Sequence, residues 1–408
     1  MRHSSFALAV GAGFALVSAP AASIAEEITT FEELFIKGSL IADFRLRYEA
    51  VEQNGVQNDA EALTLRGRIG FETAEAYGLS ALVDLETIHH LGGTKFNDTI
   101  NGKTTYPVVA DPESTQLNRL QLRYRHDEWL DATVGRQRIK LDDDRFIGNV
   151  GFRQNEQTFD AIRVDVSPIE NLTARYIYLD QVNRILGEDS PTGRFDLNGH
   201  ALNVSYDLGP LETVGYAYLI ENEDRSGLSS QTYGLRLSGT QAFNPVEIAY
   251  GGEIAQQSDY ENNTSDFEHL YYALNAAVSW SGFSLGAAYQ VLEGDGVTAF
   301  QTPYATGHKF QGFADLFLTT PVAGVEDLSA TVRYTVKDLE WAQKVGAFAT
   351  YHDFSAESSG LSYGSEIDLG AFAKFDHGFG TEIKYADYNA DGFGTDRSKL
   401  WLTASYSY

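Results

Sequence analysis

Cysteine is absent from the 408 residues, methionine occurs once, at the start, and proline only 9 times. Without thiolates there is no disulfide framework and no Cys-ligated metal centre. Lys and Arg number 30 against 57 Asp and Glu, for a net charge of -27. A surface so short of cations lacks the footprint that phosphate binding needs, which excludes nucleic acid as a partner. Long hydrophobic runs are missing too. The stretch Phe6 to Val17 is too short to cross a bilayer, and no later window of about 18 residues is apolar throughout, so a helical membrane protein is excluded while a membrane β-barrel is not.

What the chain does have is glycine (38 residues) and aromatics (24 Phe, 23 Tyr and 4 Trp), too many for a disordered chain. Residues 1–25 combine a basic start at Arg2 and His3, the apolar stretch, Pro20, and small residues at Ser23 and Ala25. That is the pattern of a secretory signal peptide cleaved after Ala25, leaving 26–408 as the mature chain.

From Gly38 onward the hydrophobic period is two. Arg45 and Arg47 alternate with Phe44, Leu46 and Tyr48, and Arg119, Gln121, Arg123 and Arg125 alternate with Leu120, Leu122 and Tyr124. Val214, Tyr216, Tyr218 and Ile220 form the bulky parity of another segment, with Gly215, Ala217 and Leu219 between them. Such strands bury one face in something apolar and show the other to something polar. A soluble sandwich or solenoid and an outer-membrane barrel both satisfy this, and the connections discriminate between them. Tight links at Ala76-Tyr77, Asp127-Glu128, Gly209-Pro210, Ser281-Gly282 and 376–378 alternate with long polar stretches at 90–115, 139–157, 184–196 and 293–325. Short periplasmic turns alternating with long outer loops are the signature of a membrane barrel.

The expected fold is therefore an all-β, antiparallel transmembrane barrel with its apolar parity toward lipid, Tyr216 included. Marking every candidate strand gives 19. His308 to Leu318 lacks clean alternation and sits between Pro303 and Pro321, and assigning it to one long outer loop leaves 18, the even number such barrels favour, with 16 the nearest alternative. The final segment carries Leu400, Leu402, Ala404, Tyr406 and Tyr408 on one parity, an ending that resembles the signal read by the outer-membrane barrel assembly machinery.

The polar parity should face the lumen. Arg45, Arg47, Arg66, Arg68, Arg119, Arg123, Arg125, Arg163 and Arg175 lie on it in the first eight strands, whereas only Arg236 and Arg333 do in the remaining ten. Two readings are open. Either the interleaved acids Asp43, Glu49, Asp84, Glu86 and Asp165 neutralise these groups as a rigid lattice, or the guanidinium groups form a ladder that attracts anions and holds carboxylates bidentately. Two loops mix apolar anchors with hydrogen-bonding groups, Gly135 to Ala161 and 302–325 around Lys309. That mixture suits loops folded back into the lumen; capping the outside is the alternative.

Leu46-Arg47-Tyr48-Glu49, the run Arg145 to Ala161, His308 to Phe317, Tyr351-His352-Asp353-Phe354, Tyr363-Gly364-Ser365-Glu366 and Lys384-Tyr385-Ala386-Asp387-Tyr388 together resemble the alginate-export family of outer-membrane porins. The resemblance implies an 18-stranded barrel whose narrow, Arg-lined lumen conducts an anionic polyuronate. It would place Arg136, Arg138, Arg145 and Arg153 near the constriction, with Asn155 and Lys309 also lining the pore. The chain departs from that pattern in mixing acids with Arg and in the near absence of inward Arg from its second half.

No spacing suggests zinc or a phosphate loop, and His352-Asp353 with Ser355, or His89-His90 with Ser80, form no arrangement that marks a hydrolase, so no enzymatic activity and no cofactor are expected. Weak calcium candidates are Asp142 and Asp144, and Asp387-x-Asn389-x-Asp391, which opens like a calcium loop but has Ser398 where the closing Glu belongs. The expected function is a passive channel in the outer membrane of a Gram-negative bacterium, contacting lipid and lipopolysaccharide, for an anionic saccharide polymer or oligomer. A general small-solute porin and a non-conducting structural or adhesive barrel are the alternatives.

Overall fold

A computed structural model describes residues 31–408; the expected signal peptide lies outside them. A short helix α1 (Phe31–Ile36) precedes 18 strands. They are β1 (Ser39–Gln53), β2 (Ala60–Glu72), β3 (Leu79–His90), β4 (Ser114–His126), β5 (Leu130–Gln137) and β6 (Thr158–Ile169). Next come β7 (Leu172–Asn183), β8 (Arg194–Asp207), β9 (Glu212–Asn222), β10 (Ser230–Phe243), β11 (Val246–Asp259) and β12 (Glu268–Trp280). The last six are β13 (Phe283–Leu292), β14 (Val325–Leu339), β15 (Ala342–Ser355), β16 (Ser362–Lys374), β17 (Phe379–Ala390) and β18 (Arg397–Ser407). Each pairs antiparallel with its neighbours in sequence, and β1 pairs with both β2 and β18. Closure leaves no free sheet edge, the condition a sheet must meet to stand in lipid.

Two-residue alternation sets the faces. On β12, Leu270, Leu274 and Val278 are exposed on the outer wall while His269, Tyr271 and Ala277 are buried. The tight links are turns at the end where β18 finishes, and the long connections all lie at the opposite end. The segment 308–318 is in no strand. Only a turn of 3-10 helix at 307–309 interrupts the irregular backbone there.

The assignment of β9 needs correction. Val214, Tyr216, Tyr218 and Ile220 are buried in the lumen, and Gly215, Ala217 and Leu219 face out. The reason is what the lumen holds at this wall. Phe146 and Phe300, from two inserted loops, pack against Tyr216, Tyr218 and Tyr271, with ring centroids 5.3 Å apart for Phe146 and Tyr216 and 5.8 Å for Tyr271 and Phe300. The Tyr216 hydroxyl donates to Glu253 at 2.7 Å. Here the interior is filled by aromatic rings and the bulky parity turns inward, so size no longer marks the lipid side.

Segment 138–157 leaves the wall where β5 stops at Gln137. Gly135 sits at φ 112° with no room for a Cβ, which would stand 2.3 Å from the Leu120 carbonyl oxygen, so the strand can hug β4 before the chain turns into the lumen. The second inserted loop is 293–324, between β13 and β14. The two are joined by backbone hydrogen bonding from Gly148 N–H to the Tyr304 carbonyl (2.9 Å), by Val150 N–H to Thr306 Oγ1 (3.1 Å), and by Arg145 to Gln311 (2.9 Å).

The corrected register of β9 predicts that Ala217→Arg, on the lipid side near mid-strand, costs about 2–4 kcal/mol. Unfolding free energy in urea, measured after reconstitution into vesicles, checks this; an Ala217→Arg barrel as stable as the parent would refute the outward placement.

Candidate functional site

The lumen at mid-height is where the charged strands and both loops meet. Arg45 and Arg47, which share the inward parity of β1, donate to main-chain carbonyls of the first loop: Arg45 to Gly151, Phe152 and Arg153 (2.9–3.0 Å), Arg47 to Phe152 (2.6 Å). These bonds satisfy a bend that no ladder could satisfy. Further round the wall the guanidinium groups meet carboxylates. Arg66 pairs with Asp43, Arg68 with Glu86 and with Glu156 (3.2 Å), and Arg119 with Asp84 (2.8 Å from Nε). Nearer the short-turn end, Arg123 pairs with Asp131 and Arg125 with Glu75. Arg163 and Arg175 share Asp165, and Arg236 bridges Asp143 (2.7 Å) and Glu253 (3.0 Å).

The loop residues complete this network. Arg138 makes a two-pronged contact with Glu156, at 2.7 Å on both arms. Arg153 reaches Glu49 on β1 (3.0 Å), Asp111 (3.6 Å) and Asp315 of the second loop (3.3 Å). Arg145 lies between the rings of Tyr271 and Phe310, 5.0 and 4.5 Å from their centroids. Asn155 accepts from Gln116 (2.8 Å), and Lys309 donates to the Asp143 carbonyl (2.5 Å) and lies 3.4 Å from Asp144. Of the four Arg expected at the constriction, Arg145 and Arg153 are buried between the loops. Arg136 is not there: it shares the outward parity of Val134 and Ile162 and pairs with Asp160 (2.7 Å).

Buried charges of this kind are tolerated only when paired. The same pairing bears on the calcium candidates. Asp142 accepts from Asn203 (2.9 Å), and Asp144 already has Lys140 and Lys309, each at 3.4 Å. Asp387 and Asn389 take the outward parity of β17, away from the lumen. No group of acids or histidines able to hold a metal occurs among the described residues. His352 is also engaged on both sides: Nδ1 bonds Asp327 (2.9 Å) and Nε2 lies 3.6 Å from Asp368, rather than on a hydroxyl it could activate. In the second loop, burial pushes the His308 imidazole down to about 3 despite its bond to Asp315 (2.7 Å), so it sits neutral against the Phe152 ring, 3.4 Å between centroids.

The feature that the Arg count did not reveal is a row of lysines. In the register of the wall, Lys337 of β14 stands opposite Lys344 of β15, and Lys344 opposite Lys374 of β16. Arg333 is two residue pairs further in on the same parity, over the Phe348 ring at 4.8 Å. All four belong to the half of the barrel nearer the short turns. Among the described residues no carboxylate lies within ion-pair distance of Arg333, Lys344 or Lys374. Above them, a cavity of about 40 Å³ between the loop tips and the wall is lined by Asp143, Arg236, Glu253, Gln290, Lys309 and Phe310. That is close to the share of one water molecule, about 30 Å³.

Comparison with known proteins fits this geometry. Solved barrels of the same shape include Pseudomonas aeruginosa OpdO (TM-score 0.70, 15% identity, 92% of this chain and 98% of that one). Others are P. aeruginosa OccK9 (0.72, 14%, 92% and 100%) and Acinetobacter baumannii OccAB2 (0.71, 13%, 92% and 99%). At these identities the likeness is one of fold. No curated protein matches the chain. The resemblance to the alginate-export family finds no support in either the family model or the solved structures. The model that does match covers residues 7–346 and describes the Gram-negative porins; the chain belongs to that family, and its place is the outer membrane.

Proposed function

We propose that this porin is a passive diffusion channel for small solutes, with a preference for small anions such as carboxylates, and that it does not thread a polymer. The observation that carries the reading is the contrast between two sets of cations. The inward guanidinium groups of β1 to β7 are bound to carboxylates or carbonyls, so little of their charge is left to hold a polyuronate. Arg333, Lys344 and Lys374 have no such partners within reach, and they line the periplasmic half of the lumen, where a wall of low dielectric strengthens their field. The loops joined across the lumen favour solutes of a few ångströms over a chain of sugars. Flux down a gradient needs no cofactor and no catalytic group. Assembly would use the outward row Leu400, Leu402, Ala404 and Tyr406 of β18 as the segment read by the insertion machinery, and lipopolysaccharide would meet the outer rim.

Two charge reversals test this reading. Lys344→Glu with Lys374→Glu should move the reversal potential in a salt gradient toward cations and reduce glutamate flux relative to arabinose severalfold, more at low ionic strength, where screening is weak. An unchanged selectivity in a folded barrel, judged by heat-modifiable gel mobility, would remove the lysine row from the mechanism. Arg123→Glu with Arg125→Glu behaves differently: it sets new acids against Asp131 and Glu75, and loss of folded barrel or of stability, rather than a clean shift in selectivity, is the expected result. A folded variant of full stability with inverted selectivity would restore the Arg ladder as the filter.

A further inference from the structure

The two loops meet across the lumen at mid-height, so the width left to a solute depends on how firmly each of them is held. The two loops are not held equally. Segment 138–157 is fastened along its length to the strands: to Arg45 and Arg47, to Glu49 through Arg153, to Thr64 through Gln154 (2.8 Å), to Arg68 through Glu156, and to Arg236 through Asp143. Segment 307–318, between Pro303 and Pro321, makes fewer polar contacts with the wall. Its rings pack there, Phe317 on Phe354, Tyr363 and Tyr388 and His308 on Trp401, but apart from Gln311 on Gln290 (2.7 Å) its hydrogen bonds and ion pairs to the strands are gathered at three consecutive residues. Phe313 N–H donates to Asp368 (3.1 Å) and Ala314 N–H to Glu366 (2.7 Å), while the Ala314 carbonyl accepts from Arg397 (3.0 Å) and Asp315 pairs with Lys399 (2.6 Å).

Glu366 and Asp368 stand two residues apart on the inward face of β16 and are fully buried. Gly312 brings the loop onto them: at φ 81° it leaves no space for a Cβ, which would lie 2.5 Å from the Glu366 carboxylate. Successive backbone N–H groups aimed at neighbouring carboxyl groups seat the loop on β16 through two buried hydrogen bonds. The charged groups facing this pair are His352 and Asp327 from β15 and β14, Lys384 from β17, whose Nζ lies 4.6 Å from the Phe313 ring centroid, Asp315 from the loop itself, and Arg397 and Lys399 from β18.

We propose that Glu366 and Asp368 are positioning residues that latch segment 307–318 across the lumen, and that release of this latch, not of segment 138–157, opens the pore. The inference rests on the channel reading above. Neutralising the latch with Glu366→Gln and Asp368→Asn keeps the side-chain shapes and weakens both bonds. Single-channel recordings should then show the open fraction rising severalfold while the conductance of the open state stays the same, a split that a merely structural role would not produce.

The natural absence of cysteine allows a second measurement. Gln290→Cys with Gln311→Cys, joined by a short bis-maleimide, ties the segment to β13 and should abolish arabinose entry into proteoliposomes. The same reagent on Thr87→Cys with Thr115→Cys, a contact on the outer face of β3 and β4 (2.9 Å), should leave entry unchanged. Full arabinose flux through the Gln290–Gln311 cross-linked barrel overturns the latch, as does an open fraction unmoved by the neutral pair. A wild-type protein that passes no arabinose is a different failure and overturns the channel reading itself.

Discussion

An 18-stranded barrel encloses more space than the side chains of its own wall can fill. How that space is occupied decides almost everything else about this molecule. Two loops, 138–157 and 293–324, fold inward, and each brings main chain into a place where water is scarce and every amide must find a partner. Part of the answer is backbone to backbone, as between Gly148 and Tyr304. Most of it is supplied by long side chains of the wall, with Arg45 and Arg47 donating to three consecutive carbonyls at 151–153. Inward arginine here is first a way of holding irregular backbone inside a barrel.

That role explains why the charges come in compensated sets. A guanidinium group sent into a crowded lumen to bind carbonyls or loop acids loses its hydration, and its neighbours must make up the loss. Glu156 receives Arg68 and Arg138, and Arg153 is shared among Glu49, Asp111 and Asp315. The acids that give the chain its negative charge are thus partly structural counter-ions, and charge counted along one parity overstates the field a solute would feel.

The same logic marks what the sequence could disclose. Alternation, turn spacing and the broken pattern at 308–318 suffice for an 18-stranded barrel, because lipid outside and closure of the sheet impose them directly on local sequence. The direction of β9 was not legible by size, since Tyr216 and Tyr218 face an aromatic cluster formed by residues far away in the chain. Signals were nonetheless present: Asn222 shares the parity of Tyr216, and Gly234, whose Cβ would stand 2.2 Å from the Tyr216 ring, makes room for it. Pairings such as Arg153 with Glu49 could not be read at all, because they join segments about a hundred residues apart that share no periodicity. Arg136 was misplaced for a simpler reason: it belongs to the strand that ends at Gln137, not to the loop that follows.

Lys344 and Lys374, with Arg333, stand apart from this economy of compensation. Like charges directly opposite on neighbouring strands are unfavourable, and Lys337, Lys344 and Lys374 occupy one such row across β14, β15 and β16. Neither Lys344 nor Lys374 donates to a loop carbonyl among the described residues, so the need that accounts for Arg45 and Arg47 does not account for them. Lys344 gains only the face of the Phe372 ring, 5.5 Å from its Nζ, and a single Lys→Ser change would relieve the repulsion. The compensated arginines keep the loops in place, and on the proposed channel reading the lysines beneath them would set the sign of the field on the periplasmic side. A latch between the two regions would then decide when a solute drawn to one can cross from the other.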